Sequence, residues 1–289
     1  MSIASLIDKA ELKLSVELIN KHKVPTPSDT LMTLERELSS AKPNSKLILE
    51  LINEDIGLAS AVIKVINSSQ YNLSQEVTSI EHAVNLLGIK QLKNAIIQPA
   101  YKNALANQIK GFEEISEHSH YVGMLAMIVA DYVSFDESID INMFYLAGLF
   151  HDVGVLIMDA EFPDYMEFYL ENESHPLSIL VKEKANYNLR HTAIAVLMAK
   201  KWGLPDDVCN AIYLHHDTYG VYKNKVGYKT LTIAEILKLA HSLNYMYLHK
   251  GAESSHTENE LMYINSINEL LLDETQIDNI KTDISSFLI

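Results

Sequence analysis

His151 and Asp152 stand side by side in AGLFHDVGVLI, residues 147–157, a run that is otherwise apolar. An imidazole and a carboxylate carried into a core need partners, because burying an unpaired polar group or an uncompensated charge is costly. Other histidines repeat the pattern among the 12 in the sequence. His118 shares a helical stripe with Ile115, Val122, Leu125 and Val129, whereas His120 groups with Glu113, Glu117 and Met124 and is expected to face outward. His151 shares its stripe with Phe144, Ala147, Gly148 and Val155, and His241 follows Ile233 and Leu237 at steps of four. His191 opens RHTAIAVLMAKKW, and His215 and His216 close AIYLHHD, which ends in Asp217. Any one inward histidine reads as a hydrogen-bonded core residue. Several of them with a buried aspartate point to a divalent cation, which satisfies both groups; imidazole and carboxylate suit iron, zinc, manganese or nickel.

The elements that would carry these residues are helical. Leu47, Leu51, Leu58, Val62 and Ile66 predict a helix pair interrupted near NEDIG, and TSIEHAVNLLG predicts a helix capped by Thr78 or Ser79 and stopped by Gly88. IKQLKNAIIQPAYKNAL reads as a further helix, bent or restarted at Pro99. A break at 107–117, punctuated by Gly111, marks a lobe boundary. Beyond it, helices are expected at about 113–133, 141–158, 163–171, 176–185, 191–202, 206–216 and 230–249, with 218–230 a loop. Gly148 and Gly154 would let other backbone approach closely. Strand-like alternation is hard to find. The expected fold is all-α: a helical lobe over 1–110, a second lobe with the His/Asp cluster over 111–250, and an acidic helical extension over 251–289.

Composition narrows the function. With 289 residues the chain can bury a sizeable core, and a formal net charge of −15 argues against nucleic acid and anionic membranes as partners. A single cysteine, Cys209, excludes an intrachain disulfide and a cysteine-based zinc site, and fits a reducing cytoplasm. The opening MSIASLIDKAELKLSVE lacks the pattern of a signal peptide, and the best apolar run, 121–130, is shorter than the roughly 20 residues that span a bilayer. KHK at 21–23 reads as a solvated charge run, and Trp202 as core where its helix ends.

These residues resemble the HD superfamily and, within it, the HDOD domain. RHTAIAVLMAKKWGLP and AIYLHHD, within 190–217, follow that family's pattern closely. In 52–96, Asn67, Ser68, Ile80, Ala83, Leu87 and Gly88 stand where its first lobe expects them, and KVPTPSDTLMTLE resembles its opening. The resemblance covers roughly residues 15–250. It implies a two-lobed helical fold with one or two divalent metal ions on His118, His151, Asp152, His191, His215 and His216, and His241 where the superfamily closes with an aspartate. Asp152 would bridge, and Asp217 or His241 could assist in any catalysis. Val155 stands where active cyclic-di-GMP phosphodiesterases carry a lysine, their Gly-Tyr-Pro signature is missing after His216, and Arg190 replaces a frequent aspartate. Loss of a phosphate-facing cation weakens the case for hydrolysis. Two functions remain open: a signal-transduction module acting through a protein partner, and a metal-dependent phosphohydrolase acting on a nucleotide or other phosphoester. A plain scaffold with satisfied core histidines stands as the third, and self-association through the C-terminal acidic helix stays open.

Overall fold

The computed structural model describes residues 7–22, 28–38, 40, 42–67, 77–92, 111–217, 225–248 and 258–287. Among them every regular element is an α-helix. The first group is α1 (Lys9–Lys21), α2 (Ser28–Leu38), α3 (Ser45–Asn53), α4 (Ile56–Ile66) and α5 (Ile80–Leu92). Next come α6 (Phe112–Ala130), α7 (Asn142–Phe150), α8 (Val153–Glu161), α9 (Tyr165–Asn172), α10 (Ile179–Tyr187), α11 (His191–Trp202), α12 (Asp206–Leu214) and α13 (Tyr228–Leu248). Two more, α14 (Glu258–Glu269) and α15 (Glu274–Phe287), close the chain. The expected helix around Pro99, part of the 107–117 break and most of the 218–230 loop lie outside the described residues.

Local chemistry sets the helix ends. Asp8, Asn44 and Asp55 cap α1, α3 and α4, their carboxylate or amide oxygens accepting backbone N–H groups of the first turn. Ser79 Oγ accepts from His82 N at 3.2 Å, as the sequence predicts for α5. Gly88, expected as a stop, is instead a kink at φ +70° inside that helix. Gly203 ends α11 in the left-handed region at φ +76°.

Helices α2 to α5 pack on one another around an aliphatic core in which Ile48, Ile52, Ile56, Leu58, Val62 and Ile66 are buried. Among the later helices α6 lies along α7, α13 crosses both, and α11 packs against α8 and α12. Two glycines permit these close approaches. A Cβ on Gly148 would sit 2.4 Å from Gly123 Cα, and one on Gly154 would sit 2.0 Å from the His191 carbonyl oxygen. The stretch Asn142–Glu161 is long and apolar enough to cross a membrane by composition, longer than the 121–130 run expected to be the most apolar; 89% of its most apolar window is buried inside the protein.

Helix α1 is pinned to the ends of α8 and α10 and the start of α11. Glu11, fully buried, receives Arg190 on both oxygens at 2.9 and 2.6 Å, and Asp8 pairs with Lys184 at 2.6 Å. Lys21 and His22 both meet Glu161, at 2.7 and 2.6 Å. The expected solvated run is thus, over its described part, a contact between α1 and the end of α8. Asn67 Nδ2 donates to Gly203 O at 2.7 Å, joining α4 to the turn after α11. Trp202 is buried against Phe150, as expected. At the other end α14 packs on α13 and α15 on α6.

Candidate metal centre

The expected helix over 141–158 is broken where the histidine–aspartate pair falls. Asp152 leaves helical geometry at φ −104°, ψ 11°, and α8 restarts at Val153. A uniformly apolar sequence carries no periodic sign of such a break. Its effect is to turn the His151 and Asp152 side chains into one buried space among α6, α11, α12 and α13. Gly154 lets the start of α11 close on that space, and Gly148 lets α6 do so.

Asp152 is the hub. Its Oδ2 lies 3.1 Å from His151 Nε2 and 3.6 Å from His118 Nε2, and accepts the Tyr169 hydroxyl at 2.6 Å. Its Oδ1 lies 3.5 Å from His191 Nε2 and 3.4 Å from His215 Nε2. Two donor groups therefore share the carboxylate: His118, His151 and His241 on one side, His191, His215 and His216 on the other, with the donor atoms of each group within 4.8 Å of one another. His151, Asp152, His191 and His215 have no solvent exposure.

Hydrogen bonds behind the rings fix which nitrogen faces the carboxylate with a lone pair. His151 Nδ1 donates to the Gly148 carbonyl and His215 Nδ1 to the Ile212 carbonyl, both at 2.6 Å. His191 Nδ1 donates to Glu183 Oε1 at 2.7 Å, and the same carboxylate accepts the His191 backbone N–H and the Tyr165 hydroxyl. Such outer partners orient metal-binding imidazoles and raise their basicity. In the neutral rings each Nε2 is then a lone pair aimed at Asp152, itself only an acceptor. Asp152 Oδ1, His191 Nε2 and His215 Nε2 are buried without a hydrogen-bond partner. Three converging lone pairs repel unless a cation, a metal ion or a proton, lies among them. The donor set fits a divalent transition ion.

Charge states agree. Burial works against a charge on Asp152, but His151, with His215 and His191, holds its carboxyl well below the usual range. Burial pushes His118 and His215 down to about 4, with the nearby His151 adding to it. His216 and His241 are also driven well below 6.5, by burial first and then by neighbouring imidazoles. His191 goes the other way: burial opposes its charge, yet the Glu183 and Asp152 carboxylates raise it. Tyr169 is pushed up by burial and by Asp152, so it stays a donor.

All seven residues expected as ligands fall in these two groups. Asp217 does not; its backbone carbonyl accepts Lys238 Nζ at the end of α12. His120, expected to face solvent, is half-buried with Nδ1 3.1 Å from the Tyr145 hydroxyl, because α7 packs along that side of α6. Glu183, Tyr169 and Asn244 were missed. Glu183 did leave a signal: it sits between Ile179 and Tyr187 at steps of four, a carboxylate in a buried stripe. Val155 is fully buried in the core.

Known proteins are similar to this chain in sequence or in structure. An uncharacterized protein of Treponema pallidum (strain Nichols) is 22% identical over 200 residues, 67% of this chain; the chain spans only 38% of that relative's length. The MmoQ response regulator of Methylococcus capsulatus is similar in structure with a TM-score of 0.65 at 16% identity, over 89% of this chain and 97% of that one. A virulence factor from Campylobacter jejuni gives 0.59 at 16% identity, over 94% and 97%. These likenesses speak for the fold. The HDOD domain family matches residues 24–218, well over half of the sequence, and the chain belongs to that family.

Proposed function

We propose that this chain is a regulatory HDOD module built around a closed divalent-metal centre, and that it works through a signalling protein rather than by turnover. The carrying observation is the burial of the donors. Catalytic metal sites keep a position open to substrate, whereas structural ones are closed. His151, Asp152, His191 and His215 have no exposed surface, and His118 is the most open of the seven at 21% of its side chain. Val155, buried among apolar neighbours, offers a phosphate no cation.

In this reading His118, His151, Asp152, His191, His215, His216 and His241 hold one or two ions of iron, zinc, manganese or nickel. When bound, such an ion supplies fixed positive charge and Lewis acidity beside Asp152. Glu183 orients His191, and the Gly148 and Ile212 carbonyls orient His151 and His215. Tyr169 steadies the Asp152 carboxylate. The centre ties α6, α11, α12 and α13 to the α7–α8 break, so its occupancy sets the rigidity of the surface a partner would read. The division into lobes 1–110 and 111–250 with an extension over 251–289, and a cytoplasmic setting for the buried Cys209, belong to the same reading.

The second reading, a phosphohydrolase, is favoured by the partial exposure of His118, which gives one edge of the cluster access to solvent; Asp217, next to His216, would assist there. Elemental analysis of the purified chain, followed by assay of the metal-loaded protein on nucleotides, cyclic nucleotides and generic phosphoesters, tests both. Bound metal with no turnover above a His151→Ala control is the expected result. Turnover lost in that control would establish the hydrolase instead, and absence of metal after loading would overturn the metal centre.

A further inference from the structure

The two donor groups around Asp152 are not equivalent, and one amide makes the difference. On the Oδ1 side, Asp152 Oδ1, His191 Nε2 and His215 Nε2 are all buried and unpartnered. On the Oδ2 side Asp152 Oδ2, His118 Nε2 and His151 Nε2 all have partners, although His241 Nδ1 is buried and unpartnered there. Asp152 Oδ2 already accepts from Tyr169. The decisive contact is Asn244, buried on α13, whose Nδ2 lies 3.0 Å from His118 Nδ1. An amide nitrogen only donates, so His118 Nδ1 must accept. Neutral His118 then carries its proton on Nε2, which lies 3.3 Å from the His151 Nε2 lone pair. The resulting N–H···N bond engages two of the three imidazoles that a metal ion on this side would need.

We propose that the chain binds its two ions unequally, with a tight ion on the Oδ1 side and an exchangeable one on the Oδ2 side, and that Asn244 is the positioning residue that sets the inequality. This rests on the metal-centre reading above and gives the second ion the part of a reversible effector. Filling the Oδ2 side requires the Asn244 amide to turn and present Oδ1. The His118 proton then moves from Nε2 to Nδ1, and the His118–His151 bond opens. No net proton is released in that exchange, and Asp152 keeps its Tyr169 hydrogen bond through its other lone pair. On the Oδ1 side no such rearrangement is needed, because Glu183 and the Ile212 carbonyl already hold His191 and His215 with Nε2 bare.

The test is a Co(II) titration of the full chain after chelator stripping, followed by equilibrium dialysis and visible absorption. The wild-type chain should retain one ion through dialysis and take a second with an affinity lower by about 10–100-fold, the usual scale of outer-partner effects. Asn244→Asp, whose carboxylate can only accept, should lock His118 with its proton on Nδ1. It should tighten the second ion by about tenfold, change its absorption spectrum and leave the first ion as it was. Glu183→Gln should do the reverse, weakening the first ion by about 10–100-fold. Two ions of equal affinity in the wild type would overturn the inequality. Equal tightening of both ions in Asn244→Asp would reduce Asn244 to a source of charge. Failure to bind any ion would remove the metal centre and this inference together. Nitrogen-15 spectra of the metal-free wild type need no variant: a proton on Nε2 of His118 is expected, and one on Nδ1 would overturn the proposal.

Discussion

The helices α2 to α5 and the helices α6 to α13 bury their surfaces by different means. The first group closes mainly on aliphatic side chains, with Leu31, Leu34, Ile48, Ile52 and Ile63 buried there and Asp55 buried as the cap of α4. The second builds an apolar core of the same kind, with Phe144, Phe150 and Leu156, and then interrupts it with six imidazoles and a carboxylate. In the first group a contact is worth the area it removes from water. In the second, the polar nest contributes only when its lone pairs find a cation, and it otherwise detracts. On the metal-centre reading the first group should be indifferent to metal, and the second should depend on it.

The largest expected effect lies on the indifferent side. Ile52→Ala, at a site with no exposure, should lower stability by about 2–5 kcal/mol in a denaturant titration. Its metal content, measured on the folded fraction, should be unchanged; loss of metal would mean the two groups of helices are not separable in this way. Next is Gly154→Ala. The added methyl meets backbone at 2.0 Å, so α8 and α11 must part, at about 1–3 kcal/mol or more, and His191 must leave Asp152. Here stability and metal retention should fall together, and a variant that melts early yet keeps its full metal would break the link between helix approach and site.

Acid should bear on the second group next. His118 and His215 bind protons at about 4 in the folded protein but near 6.5 when unfolded. Between those values the unfolded chain holds more protons, so the stability of the metal-free protein should decline as pH falls from 6.5 to 4. His191, shifted upward, acts in the opposite sense but as a single ring. Thermal melts of the stripped chain across that range, flat rather than falling, would contradict the neutral-imidazole picture. The smallest effect is expected from Lys46→Ala on the surface of α3, where the exposed Lys46–Glu50 pair spans 3.7 Å; less than about 0.5 kcal/mol should be lost.

The sequence made the cluster readable because its histidines sit in apolar stripes. His118, His151 and His241 each replace a residue that periodicity alone would make aliphatic. The break at Asp152 was not readable, since AGLFHDVGVLI is apolar on every face and a continuous helix satisfies it equally well. Nor was Asn244. It lies three residues past His241, and its importance comes from His118, 126 positions away in the chain. His120 shows the converse failure. Its charged neighbours Glu113 and Glu117 gave that face a polar look, but the Tyr145 hydroxyl reaches it across the helix pair. Spacing along one helix says which side is apolar, and only the neighbouring helix decides what covers the other side.

Glu11 and Arg190 carry a lesson about boundaries. The family match opens at residue 24, after α1 has ended, so by descent the domain starts there. Physically it starts earlier. Glu11 gives Arg190 a bidentate counter-ion one residue before His191, and a version of this protein trimmed to the family's edge would part that ion pair at the doorstep of the metal centre. At this edge the inherited unit and the helices in contact with it differ by one helix, and at the other edge the match stops at residue 218, before α13 and its His241; anyone cutting this chain for expression should keep both.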